Sequence, residues 1–211
     1  MKPKPTISII DYGLGNLYSI TKACRKFSDS VVVTEDPEVI RSSSALILPG
    51  VGSFGAGIDG LKRRGLVKII KEFADSGRPI LGICLGAQLM MSWGYEFGEF
   101  AGLSIVSGKV IKFGKLLPGT KVPHIGWNKI TVKSKKKEPI FSSLGEKSYF
   151  YFVHSYVMQP EDSKNIFATT NYGGNSFCSI IKQGNIYGCQ FHPEKSGEVG
   201  LKVIKNFIRL I

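Results

Sequence analysis

The 211-residue sequence predicts an α/β fold, a mainly parallel sheet covered on both faces by helices, with a β-rich second half. Three observations carry that prediction. Through residues 6–93, short apolar runs alternate with stretches of helical spacing. From Leu103 to Phe191 strand-like runs follow one another, and an apolar stripe at helical spacing ends the chain. No internal repeat or low-complexity linker separates the halves, so 1–211 reads as a single domain of about one and a half typical lengths.

Thr6–Asp11 is a short apolar strand, and Asn16–Phe27 has helical spacing through Leu17, Ile20, Cys24 and Phe27. Val31–Thr34 and Ala45–Leu48 read as two more buried strands. Leu66, Ile69, Ile70 and Phe73 fall at i, i+3, i+4 and i+7, and Gly77 with Pro79 ends that helix. Pro79–Ile83 is a further strand, and Leu85–Trp93 reads as a helix. Turn signals in the second half fall at Pro118-Gly119, Gly173-Gly174-Asn175 and Gln183-Gly184-Asn185. Val199, Val203, Ile204, Phe207, Ile208 and Ile211 mark the final helix.

Composition excludes several function classes. Apolar residues at 43% and charged residues at 21% are those of a chain able to bury a core, against disorder. The longest apolar stretch, Pro79 to Tyr95, is broken by three glycines, Gln88 and Ser92, so it is no membrane span. The run Ile7–Ile10 is too short for a signal-peptide core, which makes a cytoplasmic location the expectation. Four cysteines without a C-x-x-C pair and only three histidines argue against zinc and disulfide scaffolds. The net charge of +12 would suit a polyanion or an acidic protein surface. Yet the densest basic run, Lys133-Ser134-Lys135-Lys136-Lys137, lacks interleaved aromatics and reads as a solvated loop or strand end.

Gly82-Ile83-Cys84-Leu85-Gly86 sits where a strand meets a helix. It is a G-x-nucleophile-x-G elbow with sulfur as the nucleophile. A helix N-terminus favours the thiolate there; packing as a small hydrophobe is the plainer fate of a cysteine. His192 follows a strand directly, and in extended chain Glu194 would point the same way and orient its imidazole. Taken alone, His-Pro-Glu is an ordinary turn; with the elbow, Cys84, His192 and Glu194 form a candidate triad. The loop from Gly50 to Gly55 spells G-x-G-x-x-G, but Glu72 and Asp75 fall inside a helix and cannot hold a ribose. The better use is a backbone N–H aimed at a reacting carbonyl, partnered by that of Leu85.

These residues resemble the class I, triad-type glutamine amidotransferases, and within them the glutaminase subunits of imidazole glycerol phosphate synthases. The resemblance runs from Ile7 to Phe207. It rests on Asp11-Tyr12-Gly13-Leu14-Gly15-Asn16, Pro49-Gly50-Val51-Gly52, Gly82-Ile83-Cys84-Leu85-Gly86-Ala87-Gln88, Pro123-His124-Ile125-Gly126-Trp127-Asn128, Phe152-Val153-His154-Ser155-Tyr156 and Phe191-His192-Pro193-Glu194-Lys195-Ser196-Gly197. It implies a flavodoxin-like three-layer fold, glutamine hydrolysis by Cys84, His192 and Glu194, and an oxyanion hole at Val51, Gly52 and Leu85. It implies glutamine held by Gln88, Glu96, Ser155 and Tyr156. No cofactor and no metal are called for, and neither nucleic acid nor membrane is an expected partner.

The ammonia would pass to a cyclase subunit in a 1:1 heterodimer docked around Asn16, Trp127, Tyr151 and Lys195. Two aromatics suit an interface anchor, with core packing as their alternative. The acceptor in histidine biosynthesis is the leading expectation. A paralogous glutaminase serving a surface sugar, a cysteine peptidase and a non-catalytic binding protein on the same fold are the alternatives.

Overall fold

The computed structural model describes residues 5–133, 138–142, 145 and 148–211. The first half builds strands Ile7–Ile10 (β1), Val31–Thr34 (β2), Ala45–Leu48 (β3) and Ile80–Ile83 (β4). Helices Leu17–Arg25 (α1), Pro37–Ser42 (α2), Phe54–Arg63 (α3) and Leu66–Asp75 (α4) connect them, and Leu85–Leu89 (α5) follows β4. Local chemistry sets the starts. The Asn16 side chain accepts from the Ser19 N–H to cap α1, and Asp36 accepts from the Glu38 N–H with Pro37 opening α2.

The second half supplies β5 (Met91–Gly94), β6 (Phe100–Ala101), β7 (Val106–Lys112), β8 (His124–Lys129) and β9 (Thr131–Val132). There follow β10 (Tyr149–His154), β11 (Tyr156–Pro160), β12 (Ile166–Tyr172), β13 (Asn175–Gln183) and β14 (Ile186–Cys189), and Gly197–Ile208 (α6) closes the fold. The sheet runs β2-β1-β3-β4-β14-β13-β11-β7-β5-β6, with β12 branching from β13 and β9 pairing with β12. Its first five strands are parallel, in the order of a flavodoxin-like sheet; β13 and β11 are antiparallel additions. Strands β8 and β10 form a separate antiparallel ribbon.

Alternation along the parallel strands separates two cores. Ile7, Ile9, Ile47, Leu81 and Ile83 face α1 and α6, packing with Ile20, Cys24, Val203 and Phe207. Ile10, Leu46, Leu48 and Ile80 face the other layer, packing with Ile58, Leu61, Ile70 and Phe73 of α3 and α4. A sheet buried on both faces between helix layers is thus read directly from period-two strands and period-3.6 helices.

Two features differ from the sequence expectation. The helix expected over Leu85–Trp93 stops at Leu89. Beyond it Met91 and Trp93 pair in parallel with Val106 and Lys109, and the Leu89 and Met90 carbonyls accept from the Leu103 and Val106 N–H groups. Tertiary pairing there outweighs local helical spacing. Helices α2 and α3 arise where the pattern assigned none: one has six residues, and the other contains three glycines that lower its intrinsic propensity. Of the basic run, Lys133 follows β9, and residues 134–137 lie outside the described residues.

One close approach locks this arrangement. A Cβ added to Gly86 would sit 1.7 Å from the Leu48 carbonyl oxygen, so only glycine lets α5 start against the end of β3. A backbone oxygen cannot swing aside as a side chain can. Gly86→Ala is expected to cost about 3 kcal/mol or more, read as a lowered denaturant midpoint at unchanged m-value.

Candidate active site

Cys84 lies between β4 and α5 with φ 52° and ψ −111°, a left-handed conformation that costs a non-glycine residue about 1–3 kcal/mol. The surroundings hold it there. Its N–H donates to the Cys189 carbonyl at 2.7 Å, and its carbonyl accepts from the Gln88 N–H at 3.1 Å. The turn aims Sγ out of the sheet toward the Val153 carbonyl and the Gln190 amide, each 3.9 Å away. Leu85 opens α5, so its N–H is one of those a helix start leaves without an internal partner.

His192 is buried, with Nδ1 2.8 Å from Glu194 Oε1. Glu194 does not lie on extended chain as the sequence suggested. Pro193 starts a single 3₁₀ turn over Pro193–Lys195, closed by the Lys195 N–H on the His192 carbonyl, and that turn brings the carboxylate back to the ring. Nε2 is buried, without a hydrogen bond among the described residues. Burial opposes a charge on this ring, but the Cys84 sulfur and the Glu194 carboxylate outweigh it and push its pKa up to about 10. The other three thiols line no part of the cavity at Cys84. Burial raises Cys24 and Cys178 to about 12 and Cys189 higher still.

A cavity of about 230 Å³ opens at Cys84 and His192. It is lined by Val51, Gly52, Leu85, Gln88, Glu96, Ser155 and Tyr156, which the sequence singled out, together with Val153 and His154, which it did not. Gln88 spends its amide hydrogens on the Tyr156 carbonyl (3.1 Å) and on Gln190 Oε1 (3.0 Å). Glu96 Oε2 accepts from the Phe54 N–H at 2.8 Å. Gln190 is a functional neighbour that sequence reasoning passed over; two residues before His192 at the end of β14, its spacing was the available signal. His154 and His124 form a buried pair, Nε2 to Nδ1 at 3.1 Å, that burial holds at about 3 and about 4.

Outside the cavity, Trp127 is 56% exposed, against the core alternative, and its ring meets Tyr151 edge-on at 6.3 Å. The Lys195 ammonium lies 6.0 Å from the Tyr151 ring centroid. Asn16 caps α1.

The family model described as glutamine amidotransferase class-I matches residues 8–210. The chain belongs to that family. This amidotransferase is 44% identical over 214 residues to "Imidazole glycerol phosphate synthase subunit HisH 1" of Legionella pneumophila strain Paris, covering 97% of this chain and 99% of that one. It is 45% identical over 208 residues to the HisH subunit of Syntrophotalea carbinolica, covering 95% and 98%. A solved structure of a glutamine amidotransferase from Thermotoga maritima superposes with a TM-score of 0.64 at 18% identity, over 99% of this chain and 84% of that one, a likeness of fold.

Two measurements test the site. Iodoacetamide should modify Cys84 and leave Cys24, Cys178 and Cys189 unmodified in the folded amidotransferase, read by peptide mass spectrometry. The His192 ring, followed by NMR, should hold its proton well above pH 7, and Cys84→Ala should lower that titration. Because the folded value is raised, the stability this charge contributes is fully present below the unfolded value near 6.5. It is lost as pH rises toward about 10.

Proposed function

We propose that this amidotransferase hydrolyses glutamine to glutamate and ammonia through Cys84, His192 and Glu194. It passes the ammonia to a cyclase subunit in a 1:1 cytoplasmic complex that makes imidazole glycerol phosphate and aminoimidazole carboxamide ribonucleotide for histidine biosynthesis. The observation that carries the reading is one cavity whose lining brings a strained thiol to a histidine charged by a buried carboxylate. The synthase role is supported by the names and full-length coverage of the HisH relatives.

In this reading the Cys84 thiolate attacks the side-chain amide carbon, and the C=O electrons move onto oxygen. The N–H groups of Leu85 and of the Val51–Gly52 segment stabilise that oxyanion. His192 protonates the departing nitrogen, ammonia leaves, and a thioester remains. His192, now neutral, takes a proton from water as the oxygen attacks the thioester. Glutamate leaves, and Cys84 recovers its thiolate against the imidazolium. Glu194 holds the ring in one orientation and stabilises its charge throughout. Glutamine's α-ammonium pairs with Glu96, with Gln88, Ser155 and Tyr156 lining the rest of the head-group site.

The cluster of exposed Trp127, half-buried Tyr151 and exposed Lys195 supplies the docking face, aromatic anchors beside a cation. Free ammonia is mostly protonated near neutral pH, which favours release directly against a partner.

Glutaminase assays in the complex test the chemistry. Cys84→Ala and His192→Ala should each lower kcat on the order of 10⁶-fold, and Glu194→Gln about 10⁴-fold. Undiminished turnover by Cys84→Ala would sink the mechanism.

A further inference from the structure

The segment from Pro49 to Phe54, which carries Val51 and Gly52 past the cavity, is fastened at both ends by side chains from elsewhere in the fold. At the first end the Tyr12 hydroxyl donates to the Pro49 carbonyl at 2.6 Å. Tyr12 stands just past β1, is 1% exposed, and lines no part of the cavity. A buried phenol that served only to fill space would be a phenylalanine, because the hydroxyl costs desolvation unless it is used. Here it is used on one carbonyl. The peptide is planar, so fixing the Pro49 C=O fixes the plane that also bears the Gly50 N–H.

The fit around that contact is tight. A Cβ on Gly50 would meet Tyr12 Oη at 2.2 Å, Leu85 Cβ at 2.9 Å and the Gly86 nitrogen at 3.0 Å. The loop is therefore pressed between the phenol and the elbow that presents Cys84. At the other end Ser53, which precedes α3, makes no side-chain cap. The cap comes from Glu96, whose Oε2 takes the Phe54 N–H at 2.8 Å, while Phe54 itself is fully buried. Between the two fastenings Val51 and Gly52 are exposed, and Gly52 has φ +112°.

We propose that Tyr12 and Glu96 are positioning residues that pin the two ends of this loop and so fix where its peptides between Gly50 and Gly52 lie. This rests on the glutaminase reading, in which those peptides supply an oxyanion donor. Tyr12 acts entirely through the loop. Glu96 acts twice, since one oxygen tethers the loop while the carboxylate also meets the substrate's ammonium. Substrate binding and loop position thus share one carboxylate.

The test uses the complex with the cyclase partner and the variant Tyr12→Phe. Three readouts are compared: glutamine kcat and KM, the rate of Cys84 alkylation by iodoacetamide, and inhibition by glutamate γ-semialdehyde. The aldehyde adds to the thiolate and places an oxygen where the tetrahedral intermediate has its own. Tyr12→Phe should lower kcat about 10-fold to 100-fold and weaken semialdehyde inhibition in parallel. KM and alkylation should stay within about 2-fold, because neither uses the oxyanion donors.

A second pair keeps the test independent of how Tyr12→Phe folds. Glu96→Gln retains an acceptor for the Phe54 N–H and should mainly raise KM; Glu96→Ala loses the tether as well and should also lower kcat. Unchanged kcat per alkylatable Cys84 in Tyr12→Phe overturns the proposal, as does a loss of kcat matched by an equal loss of alkylation, the mark of a merely structural role. Identical kcat in Glu96→Gln and Glu96→Ala overturns it too. A wild-type complex that hydrolyses no glutamine removes the glutaminase reading and this one with it.

Discussion

Every part of the site depends on one sharp turn, the passage from β4 into α5 at Cys84. The turn is strained at φ 52° and survives because neighbouring strands close around it. Strand β14 runs parallel to β4 with Cys189 opposite Ile83. The residues just past those ends, Cys84 on one strand and Gln190 then His192 on the other, therefore emerge side by side at the carboxyl edge of the sheet. Strand β3 lies on the other flank of β4, pairing Leu48 with Gly82. That register delivers the loop from Pro49 onward over the elbow. Sheet order alone thus gathers nucleophile, histidine and loop from segments far apart in the chain, as the open α/β rule places ligands beyond the strand ends.

Burial then gives two histidine environments opposite characters. His192 has a carboxylate on one nitrogen and the Cys84 sulfur beyond the other, so it keeps its proton despite desolvation. His154 and His124 bond to each other and to neutral groups, and burial keeps both uncharged. Their hydrogen bonds settle the tautomers. The Tyr156 carbonyl can only accept, so His154 Nδ1 carries the hydrogen and its Nε2 accepts from His124 Nδ1. The Asn128 amide donates to the remaining nitrogen, His124 Nε2, at 3.4 Å. A neutral chain of this kind holds the Tyr156 carbonyl, which Gln88 also uses, without adding a second cation near His192.

Much of this was legible in the sequence because it rests on local signals. The elbow glycines, the strand before His192, and the alternation of apolar strands with helices are all visible within a few residues. What was not legible depends on partners distant in the chain. The helix expected through Trp93 gives way at Leu89 because Met91 and Trp93 find β7. Glu194 reaches His192 from a 3₁₀ turn, since Pro193 starts one as readily as it extends the chain. Gln190 lies outside every motif, and Tyr12 and His154 stand in motifs that gave them no role; only the fold shows that their polar atoms converge on the elbow, its loop and the cavity.

The ribbon of β8 and β10 ties the cavity to the Trp127–Tyr151 pair. Along β10 side chains alternate: Phe150 and Phe152 are buried, and Tyr151 between them points to the surface, opposite Trp127 on β8. The backbone of Tyr151 is committed inward at the same time. Its carbonyl accepts from the His192 N–H at 2.9 Å, and its N–H donates to Ser196 Oγ, whose hydroxyl in turn donates to the His192 carbonyl at 2.6 Å. His192 is therefore hung on β10 from both of its backbone groups, one directly and one through a serine. The half-buried Tyr151 ring and the backbone of the histidine that faces Cys84 are thus joined through hydrogen-bonded strand. A shift of β10 relative to β4 would move His192 and Val153 together against the sulfur. The placement of the imidazole is a property of the ribbon as much as of the sheet.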